Sequence, residues 1–269
     1  MSFVQRLRVK PDARFRIADV DPEATPGAKS KEKALEALDE NQRRLFDLQY
    51  LLYAENKRSL LVVLQAMDAA GKDGVIRHVA AGLNPQGCTV TAFKAPSAEE
   101  LDHHFLWRIQ KATPARGDIG IFNRSHYEDV LVVRVNELVP RSVWSQRYEQ
   151  INGFERLLAE TGTVVLKFYL HISKDEQKRR FAERLADPHK HWKLAAGDFE
   201  VRKRWGDYMK AYEAALTRCS TEWAPWFVIP ANKKWYRNLA VSQIIVETLE
   251  GLRMKFPKPQ LDVSKVSFV

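Results

Sequence analysis

The sequence predicts an α/β fold, in which a parallel five-stranded sheet is flanked by helices and carries a helical lid. Short and nearly unbroken apolar runs alternate along the chain with longer segments whose apolar residues recur at helical spacing. Strands that are buried on both faces and joined by helices are typical of a parallel sheet. A turn containing Gly71 and Lys72 follows the first apolar run directly, as in proteins that bind phosphate between a strand and a helix.

Five apolar runs predict the strands, and helical periodicity predicts the helices around them. The predicted strands are Ser59–Gln65, Thr89–Phe93, Ile119–Phe122, Val164–Ile172 and Trp226–Ile229. The predicted helices are Ser30–Glu55, Val75–Leu83, Glu99–Lys111, Tyr127–Val135, Trp144–Glu160, Asp175–Leu185 and Trp235–Met254. Ser30 stands where an N-cap belongs, and the last helix is expected to be amphipathic.

Three segments interrupt or flank this alternation. Residues 1–30 contain three prolines and little periodicity, which predicts an irregular N-terminal arm. Residues Asp175–Thr221 are mostly polar and basic, with a break at Asp187–Asp198, and they predict a helical hairpin whose lid covers about 175–200. Phe256–Val269 is expected to be a proline-containing tail. The whole chain, 1–269, is assigned to a single domain.

Composition limits the classes of partner. The 269 residues include 43 Lys and Arg against 34 Asp and Glu, a net charge of +9 that favours a polyanion such as nucleic acid, an acidic membrane surface or a phosphate polymer. Cys88 and Cys219 are far apart and in no metal-ligand spacing, which fits a reducing compartment. No signal peptide or membrane-spanning apolar run is visible, so we expect a cytoplasmic protein without a membrane partner.

The strongest motif is the segment Ala66–Gly74. It differs from the usual G-x-x-x-x-G-K-[ST] loop because Ala66 replaces the first Gly and Asp73 replaces Ser or Thr. Backbone N–H groups of such a loop converge on an anion, and Lys72 adds a positive charge that neutralises the transferred phosphoryl group. The residues expected to bind phosphate here are Ala69, Ala70, Gly71, Asp73 and Gly74, with Arg77 on the helix that follows.

Asp68 is unusual in this loop, because a carboxylate inside an anion cradle repels phosphate. The misfit disappears if Mg²⁺, or Mn²⁺ as an alternative, lies between the carboxylate and the phosphate, or if Asp68 orients an acceptor group. Asp73 either contributes to the metal site or favours the positive end of the helix.

A second group of polar residues follows the predicted strand Ile119–Phe122. Arg124 has a planar fork that binds two phosphate oxygens, and Asn123 precedes it. Asp129 is expected to hold Mg²⁺ together with Asp68, with Glu128 as a further ligand, because ligands bind beyond the carboxyl ends of parallel strands. The alternative, that Glu128 and Asp129 are an ordinary acidic first turn of a helix, stays open.

Further cations are candidates for phosphate contacts. Lys94 follows the second predicted strand, and Arg108 lies on the next predicted helix, so both are expected to contact the acceptor's phosphate. The lid segment is rich in basic residues, most of which are expected to be solvated, with Arg180, Arg184 and Lys193 as candidate contacts. A mobile arginine on such a lid stabilises the charge of a phosphoryl-transfer transition state.

The motifs together resemble the polyphosphate kinase 2 family. Four blocks carry the resemblance: Leu64–Gly74, Ile121–Val130, Arg179–Lys193 and Ala224–Arg237. The resemblance implies a thymidylate-kinase-like fold and transfer between polyphosphate and adenine nucleotides, with guanine nucleotides as an alternative. It also selects Arg180, which falls on the lid motif, as the transition-state arginine.

One departure bears on the acceptor. Many members of the family have Asp where this chain has Asn123, and Asn-Arg-Ser followed by Glu128-Asp129 resembles the subgroup, class III, that accepts both AMP and ADP.

Two other functions remain open from the sequence. One is an ATP-dependent nucleotide or small-molecule kinase of the same fold, which does not need a basic track for a long polymer. The other is a basic P-loop protein that binds nucleic acid, against which we find no recognisable nucleic-acid module. Apolar residues on the first and last helices suggest a homodimer or homotetramer.

Overall fold

The computed structural model describes residues 1–262 and 266, so the rest of the predicted tail, 263–265 and 267–269, lies outside the described residues. The five strands form one sheet in the order β2-β3-β1-β4-β5, and every neighbouring pair is parallel. They are β1 (Ser59–Gln65), β2 (Cys88–Ala92), β3 (Ile119–Asn123), β4 (Thr163–His171) and β5 (Trp226–Pro230). The predicted fold class is confirmed, and each predicted strand lies within one residue of its observed ends.

Helices cover both faces of the sheet. They are α1 (Phe3–Leu7), α2 (Lys31–Glu55), α3 (Lys72–Val79), α4 (Ala98–Leu101), α5 (Trp107–Lys111), α6 (Val132–Val135), α7 (Arg141–Trp144), α8 (Arg147–Glu160), α9 (Lys174–Leu185), α10 (Ala196–Lys203), α11 (Trp205–Cys219) and α12 (Lys234–Gly251). Short 3₁₀ turns stand at Ile17–Asp19, Ala80–Gly82, Pro85–Gly87, His126–Val130 and Pro188–Lys193. The predicted cap at Ser30 is confirmed, since its hydroxyl accepts a hydrogen bond from the backbone N–H of Lys33.

The central strand β1 is buried along its whole length, as its unbroken apolar sequence predicts. It pairs with β3 so that Leu64 lies opposite Asn123. The polypeptide therefore leaves these two neighbouring strands at the same edge of the sheet, and the segments that follow them come together there.

Two predicted helices are interrupted. The segment expected as Glu99–Lys111 forms two short helices, α4 and α5, and Ser97 and Glu100 close a capping box at the start of α4. The segment expected as Tyr127–Val135 begins as a 3₁₀ turn, because the Ser125 hydroxyl accepts from the backbone N–H of Tyr127 and tightens the first turn.

The N-terminal arm, residues 1–30, contains one short helix and one 3₁₀ turn, and most of it lacks regular structure. The arm begins with α1, whose first two N–H groups donate to the carboxylate of Glu247. Farther along, the N–H of Val9 donates to the carbonyl of Trp226 on β5, and Ile17 is buried. The arm is therefore anchored to α12 and β5 by hydrogen bonds that local sequence patterns do not indicate.

The last helix was expected to be amphipathic, and that expectation is wrong. In α12, apolar and polar residues on nearly every side are buried, because α2 packs on one side and α1 and β5 on others. Asn41 of α2 donates to Ser242 and Gln243 of α12, which pairs polar groups inside this contact.

The basic segment after β4 forms the predicted helical hairpin, with α9 leading out and α10 and α11 returning. Its turn at Pro188–Lys193 lies over the edge of the sheet where β1 and β3 end. The division of the chain into one domain with a lid at about 175–200 stays a prediction. Over residues 1–262 and 266, we find no helix with the length and apolar character needed to cross a bilayer.

Candidate active site

A cleft of about 370 Å³ opens at the carboxyl ends of β1, β2 and β3. Ten of the residues that the sequence singled out line it: Asp68, Ala69, Gly71, Lys72, Asp73, Lys94, Asn123, Arg124, Arg184 and Lys193. The phosphate loop, the segment after β3 and the lid thus face one another across a single space.

The phosphate loop turns sharply between β1 and α3. Ala69 has φ 63° and Gly71 has φ 107°, so two residues adopt the left-handed region within three positions. Glycine reaches that region without the steric cost that other residues meet, which explains Gly71. The helix α3 starts at Lys72, so its free N–H groups and positive dipole end lie at the cleft.

Side chains from the opposite side of the loop bind its carbonyl groups. Gln177 donates to the carbonyl of Asp68 (2.9 Å), and Arg180 donates to those of Ala69 and Ala70 (both 2.9 Å). Arg237 also donates to the Ala70 carbonyl, at 3.1 Å. A trans peptide group is planar, so its C=O and N–H point in opposite directions. Fixing the Ala70 carbonyl therefore turns the N–H of Gly71 away from these side chains, on the side of the cleft.

Arg237 also explains both glycines of the loop. A β-carbon on Gly71 would stand 1.8 Å from Nη1 of Arg237, and one on Gly74 would stand 2.7 Å from Nη2. Gly74 has ordinary helical backbone angles, so its requirement is space and not conformation. Arg237 is 3% exposed, and burial lowers its pKa to about 10. Arg237 is the last residue of one of the four blocks that carry the family resemblance, but sequence analysis assigned it no role.

Lys72, Asp68 and Arg124 form the charged centre of the cleft. Arg124 donates to Oδ1 of Asp68 at 3.0 Å, and its backbone has φ 62°, a strained conformation that costs about 1–2 kcal/mol. The ammonium of Lys72 donates to the carbonyl of Ala66 at 3.0 Å. Burial lowers the pKa of Lys72, and the negative charge of Asp68 opposes that shift.

Asp73 and Asn123, which both line the cleft, contact each other. The amide of Asn123 donates to Oδ1 of Asp73 at 2.7 Å. The two positions at which this chain departs from familiar patterns, Asp73 in the loop and Asn123 after β3, are thus direct neighbours. No signal in the sequence indicates that contact, because the residues are 50 positions apart.

The structure places Glu128 and Asp129 in different surroundings, and only Glu128 lies near Asp68. Glu128 lies with Asp68 and Arg124 in a small pocket that adjoins the cleft. Burial raises the pKa of Glu128, against the positive charges of Arg124 and Lys72. Asp129 lines neither the cleft nor this small pocket. Its Oδ1 accepts a hydrogen bond from Arg147 at 2.8 Å. Burial raises the pKa of Asp129 to about 6, although Arg147 lowers it. The first turn after Ser125 directs consecutive side chains to different sides, which the sequence alone does not resolve.

Arg180 also needs correction. It was expected to be a mobile lid residue that contacts the reacting phosphate, but it is 4% exposed. Its remaining donors bind the carbonyls of Ala231 and Asn232 and the carboxylate of Glu176. All of its hydrogen-bonding directions are used within the protein, so its role in this structure is to hold the loop.

Two further predicted phosphate contacts lie away from the cleft. Arg77 is exposed on the outer side of α3, one turn beyond the loop. Arg108 donates to the carbonyl of Lys94 at 2.9 Å and to Glu100, so it positions the segment after β2. Ala70 and Gly74 are packed behind the loop and do not line the cleft.

The lid adds residues that the site prediction missed. Trp192 and Asp198 line the cleft with Arg184 and Lys193. Trp192 is 79% exposed, and the ammonium of Lys193 lies 4.9 Å from the centre of its ring. An exposed tryptophan offers a flat surface against which another aromatic ring can stack. Its position within a run of basic residues was the signal in the sequence.

The oxygen ligands at the cleft suit Mg²⁺. Among residues 1–262 and 266 we find no group of three or more His, Cys, Asp or Glu arranged to hold a metal ion by itself. Mg²⁺ that works on phosphates usually takes only one or two carboxylates, together with water and substrate oxygens. Asp68 and Glu128 are two carboxylates whose positions would fit such a site. Beside them, Oε1 of Gln65 is buried and has no hydrogen-bond partner in the described part of the chain.

Comparisons with known proteins bear on this site. A family model described as "Polyphosphate kinase 2 (PPK2)" matches residues 28–257. The chain is 55% identical to a Meiothermus ruber protein named AMP/ADP-polyphosphate phosphotransferase, over 98% of this chain and 99% of that one. It is 48% identical to a Rhodopseudomonas palustris protein named ADP-polyphosphate phosphotransferase, over 94% and 92%. The crystal structure of polyphosphate kinase 2 from Arthrobacter aurescens superposes with a TM-score of 0.95 at 48% identity, over 98% and 94% of the two chains.

Proposed function

This chain belongs to the polyphosphate kinase 2 family, and from that premise we propose that it transfers phosphoryl groups reversibly from inorganic polyphosphate to AMP and to ADP. The relative from Meiothermus ruber, which is named for both acceptors, supports this choice because the identity of 55% extends over nearly the full length of both proteins. The AMP/ADP assignment also agrees with the Asn-Arg-Ser segment at Asn123.

The observation that carries the proposal is the charge around one cleft. Five cations from four segments line it: Lys72, Lys94, Arg124, Arg184 and Lys193. Polyphosphate and the nucleotide acceptor both carry negative phosphate groups, and these repel one another unless cations line the space that the two substrates share.

We propose direct transfer between the two substrates. An oxygen of the acceptor's terminal phosphate attacks the terminal phosphorus of polyphosphate, and the bond from that phosphorus to the bridging oxygen breaks. Lys72 and Arg124 stabilise the charge that spreads over the transferred group. The described residues that line the cleft include no Ser, Thr, Cys or His, which supports a mechanism without a phosphohistidine or phosphoserine intermediate.

Mg²⁺ belongs to the same proposal, with Asp68 and Glu128 as its protein ligands. The ion, when bound, supplies positive charge that neutralises the reacting phosphates. Arg124 contacts Asp68 and fixes the orientation of that carboxylate. We also propose a cytoplasmic location, which the two free cysteines, Cys88 and Cys219, support.

The test is nucleotide formation from purified protein, Mg²⁺, polyphosphate and either AMP or ADP, without added ATP. We expect ADP and then ATP to appear from AMP. Product from ADP alone would retain the polyphosphate donor and refute the AMP assignment. The Lys72→Ala variant is the control, and we expect its rate to fall by about 10²–10³-fold while its thermal unfolding stays close to that of the wild type.

The same assay separates the alternatives. Transfer that appears only with ATP as the donor would identify an ATP-dependent kinase of the same fold. Binding of duplex or single-stranded nucleic acid without phosphoryl transfer would identify a nucleic-acid-binding protein. Trapping of a phosphorylated protein during turnover with polyphosphate would contradict direct transfer.

A further inference from the structure

The 3₁₀ turn that carries Glu128 is attached to the protein by buried polar side chains. Glu128 lines the small pocket beside the cleft, and it lies on the turn His126–Val130. The two residues before it, His126 and Tyr127, are both fully buried. Buried polar groups are almost always hydrogen-bonded, so the partners of these two side chains show what holds the turn in place.

Both side chains contact the same carboxylate oxygen, Oε1 of Glu155 on α8. The hydroxyl of Tyr127 donates to it at 3.0 Å, and Nε2 of His126 lies 3.1 Å from it. The ammonium of Lys167 on β4 donates to the other carboxylate oxygen, and it also donates to the Tyr127 hydroxyl at 2.8 Å. A carboxylate paired with an ammonium only accepts hydrogen bonds, so the ring proton of His126 is on Nε2.

Ser125, the residue before the turn, is held separately. Nε2 of Gln65 on β1 donates to the hydroxyl oxygen of Ser125 at 3.1 Å, and that oxygen also accepts from the backbone N–H of Tyr127 at 3.2 Å. Three consecutive residues before Glu128 are therefore bound by side chains from β1, α8 and β4.

The carboxylate of Glu155 does more than neutralise a buried lysine. A charge pair with Lys167 requires no contact with the turn. Yet of the three hydrogen bonds that the Glu155 carboxylate makes within the described part of the chain, two go to consecutive residues of the turn. A rotation of the turn would break both and leave buried polar groups unpaired, which is costly. The cluster therefore restricts the direction in which Glu128, the next residue, leaves the turn.

We propose that the buried contact between Tyr127 and Glu155 positions the carboxylate of Glu128 for Mg²⁺, beside Asp68. This inference rests on the proposed metal role of Glu128. Groups that fix the orientation of a metal ligand affect the affinity for the ion, because a ligand that is already in place loses less freedom on binding. Tyr127 and Glu155 are both 0% exposed, so they are positioning residues that act through the turn, without contact with the ion or the substrates.

The first test is the affinity of the protein for Mn²⁺ alone, measured from the electron paramagnetic resonance signal of the free ion without nucleotide or polyphosphate. Tyr127→Phe removes the hydroxyl and keeps the ring. We expect its affinity for Mn²⁺ to fall about 10-fold, since the loss of a group that orients a metal ligand costs about 10–100-fold. The matched control is Tyr236→Phe, at another fully buried tyrosine, whose hydroxyl donates to the carbonyl of Pro26 at 2.9 Å. It is expected to lower the temperature of unfolding and to keep the wild-type affinity for Mn²⁺.

The second test asks whether the effect of Tyr127 passes through Glu128. In a Glu128→Gln background the carboxylate to be positioned is absent, so adding Tyr127→Phe is expected to cause no further loss of Mn²⁺ affinity. A loss as large as in the wild-type background would overturn the inference, because Tyr127 would then affect the ion independently of Glu128. Wild-type affinity in Tyr127→Phe alone would also overturn it.

The Glu128→Gln variant separates this inference from the proposed function. If it binds Mn²⁺ as tightly as the wild type, Glu128 is not a metal ligand, and both proposals lose that site. If it binds weakly while Tyr127→Phe binds normally, the metal site stands and only the positioning role is refuted. Steady-state kinetics add a further readout, since excess Mg²⁺ is expected to restore the kcat of Tyr127→Phe. A kcat that stays low at saturating Mg²⁺ would contradict an effect through metal affinity.

Discussion

Arg237 occupies the space that a side chain on Gly74 would need: Nη2 of Arg237 lies 2.7 Å from the position of a β-carbon there. Arg237 and Gly74 are on different helices, α12 and α3, and Arg237 also binds the carbonyl of Ala70. The phosphate loop is therefore shaped from behind by a buried guanidinium as well as by its own backbone preferences.

Gly74→Ala is expected to displace Arg237 and loosen the loop. We expect a loss of about 1–3 kcal/mol in the free energy of unfolding, measured by urea denaturation, because the new methyl group overpacks a buried contact. The catalytic rate is expected to fall at the same time, since the loop carbonyls lose a fixed donor.

Gly153→Ala is the matched control for this substitution. Gly153 lies inside α8, and a β-carbon there would meet no atom within 4 Å. Replacing a helical glycine with alanine in free space stabilises a helix by about 1 kcal/mol. In an Arg237→Gln background, Gly74→Ala is expected to cost less than in the wild type. Equal costs in both backgrounds would contradict the contact that we describe.

Glu128→Gln is expected to impair catalysis more than Asp129→Asn, opposite to the order that the sequence predicts. Glu128 adjoins Asp68 and Arg124, whereas Asp129 is paired with Arg147. Titration of the rate with Mg²⁺ is the measurement, and Glu128→Gln is expected to raise the concentration needed for half-maximal rate. If Asp129→Asn raised the Mg²⁺ concentration for half-maximal rate more than Glu128→Gln did, Asp129 would be the better candidate for the metal ligand.

Asp129 is expected to make the stability of the protein depend on pH. Burial raises its pKa to about 6 in the folded protein, above its ordinary value of 3.8. Between these values the folded state binds more protons at this site than the unfolded state, so the contribution of Asp129 to stability falls as the pH rises. Relative to Asp129→Asn, the wild type is expected to lose about 1 kcal/mol per pH unit between pH 5 and pH 6 in urea unfolding. A difference that stays constant over this window would contradict the raised pKa.

Substitutions of Arg180 and Arg184, both on α9, are expected to have different effects on stability and on substrate binding. Arg180→Met removes a buried residue that binds four carbonyls and Glu176, so it is expected to destabilise the protein by several kcal/mol. Arg184→Met is expected to leave the unfolding free energy nearly unchanged and to raise the KM for polyphosphate or the nucleotide, since Arg184 lines the cleft. Calorimetry and steady-state kinetics on the two variants check this contrast, which an unaltered KM in Arg184→Met would disprove.

A buried ion pair between β4 and α8 is expected to be sensitive to the loss of either partner. The ammonium of Lys167 on β4 contacts Glu155 (2.5 Å), and both side chains are fully buried. It also donates to the hydroxyl of Tyr127, in the segment that carries Glu128. Lys167→Met removes the ammonium that neutralises the buried Glu155 carboxylate and leaves that carboxylate only its contacts with Tyr127 and His126, so it is expected to cost about 3–5 kcal/mol.

The double variant Lys167→Met, Glu155→Leu tests that interpretation. Removing both charges leaves no uncompensated ion, so its cost in urea unfolding is expected to be less than the sum of the two single substitutions. Additive costs would show that the ion pair is not a coupled unit.

Local sequence patterns predicted the sheet and much of the cleft. The strand Ser59–Gln65 is an unbroken apolar run because both faces of a central parallel strand are covered, and its observed ends match. Lys72, Asp68 and Arg124 were identified because the chemistry of phosphate binding restricts residue types within a short segment that follows a strand.

Only the tertiary structure decided which residues lie behind the phosphate loop and which line the cleft. Arg180 and Arg184 are one helical turn apart in the same basic segment, yet one is buried behind the loop and the other lines the cleft. Glu128 and Asp129 are adjacent, and only their directions separate them. Sequence periodicity reports which residues suit a strand, a helix or a phosphate, because those preferences act locally. It does not report which side of an element meets which distant carbonyl or carboxylate, because those contacts arise only when α9, α12 and the phosphate loop pack together.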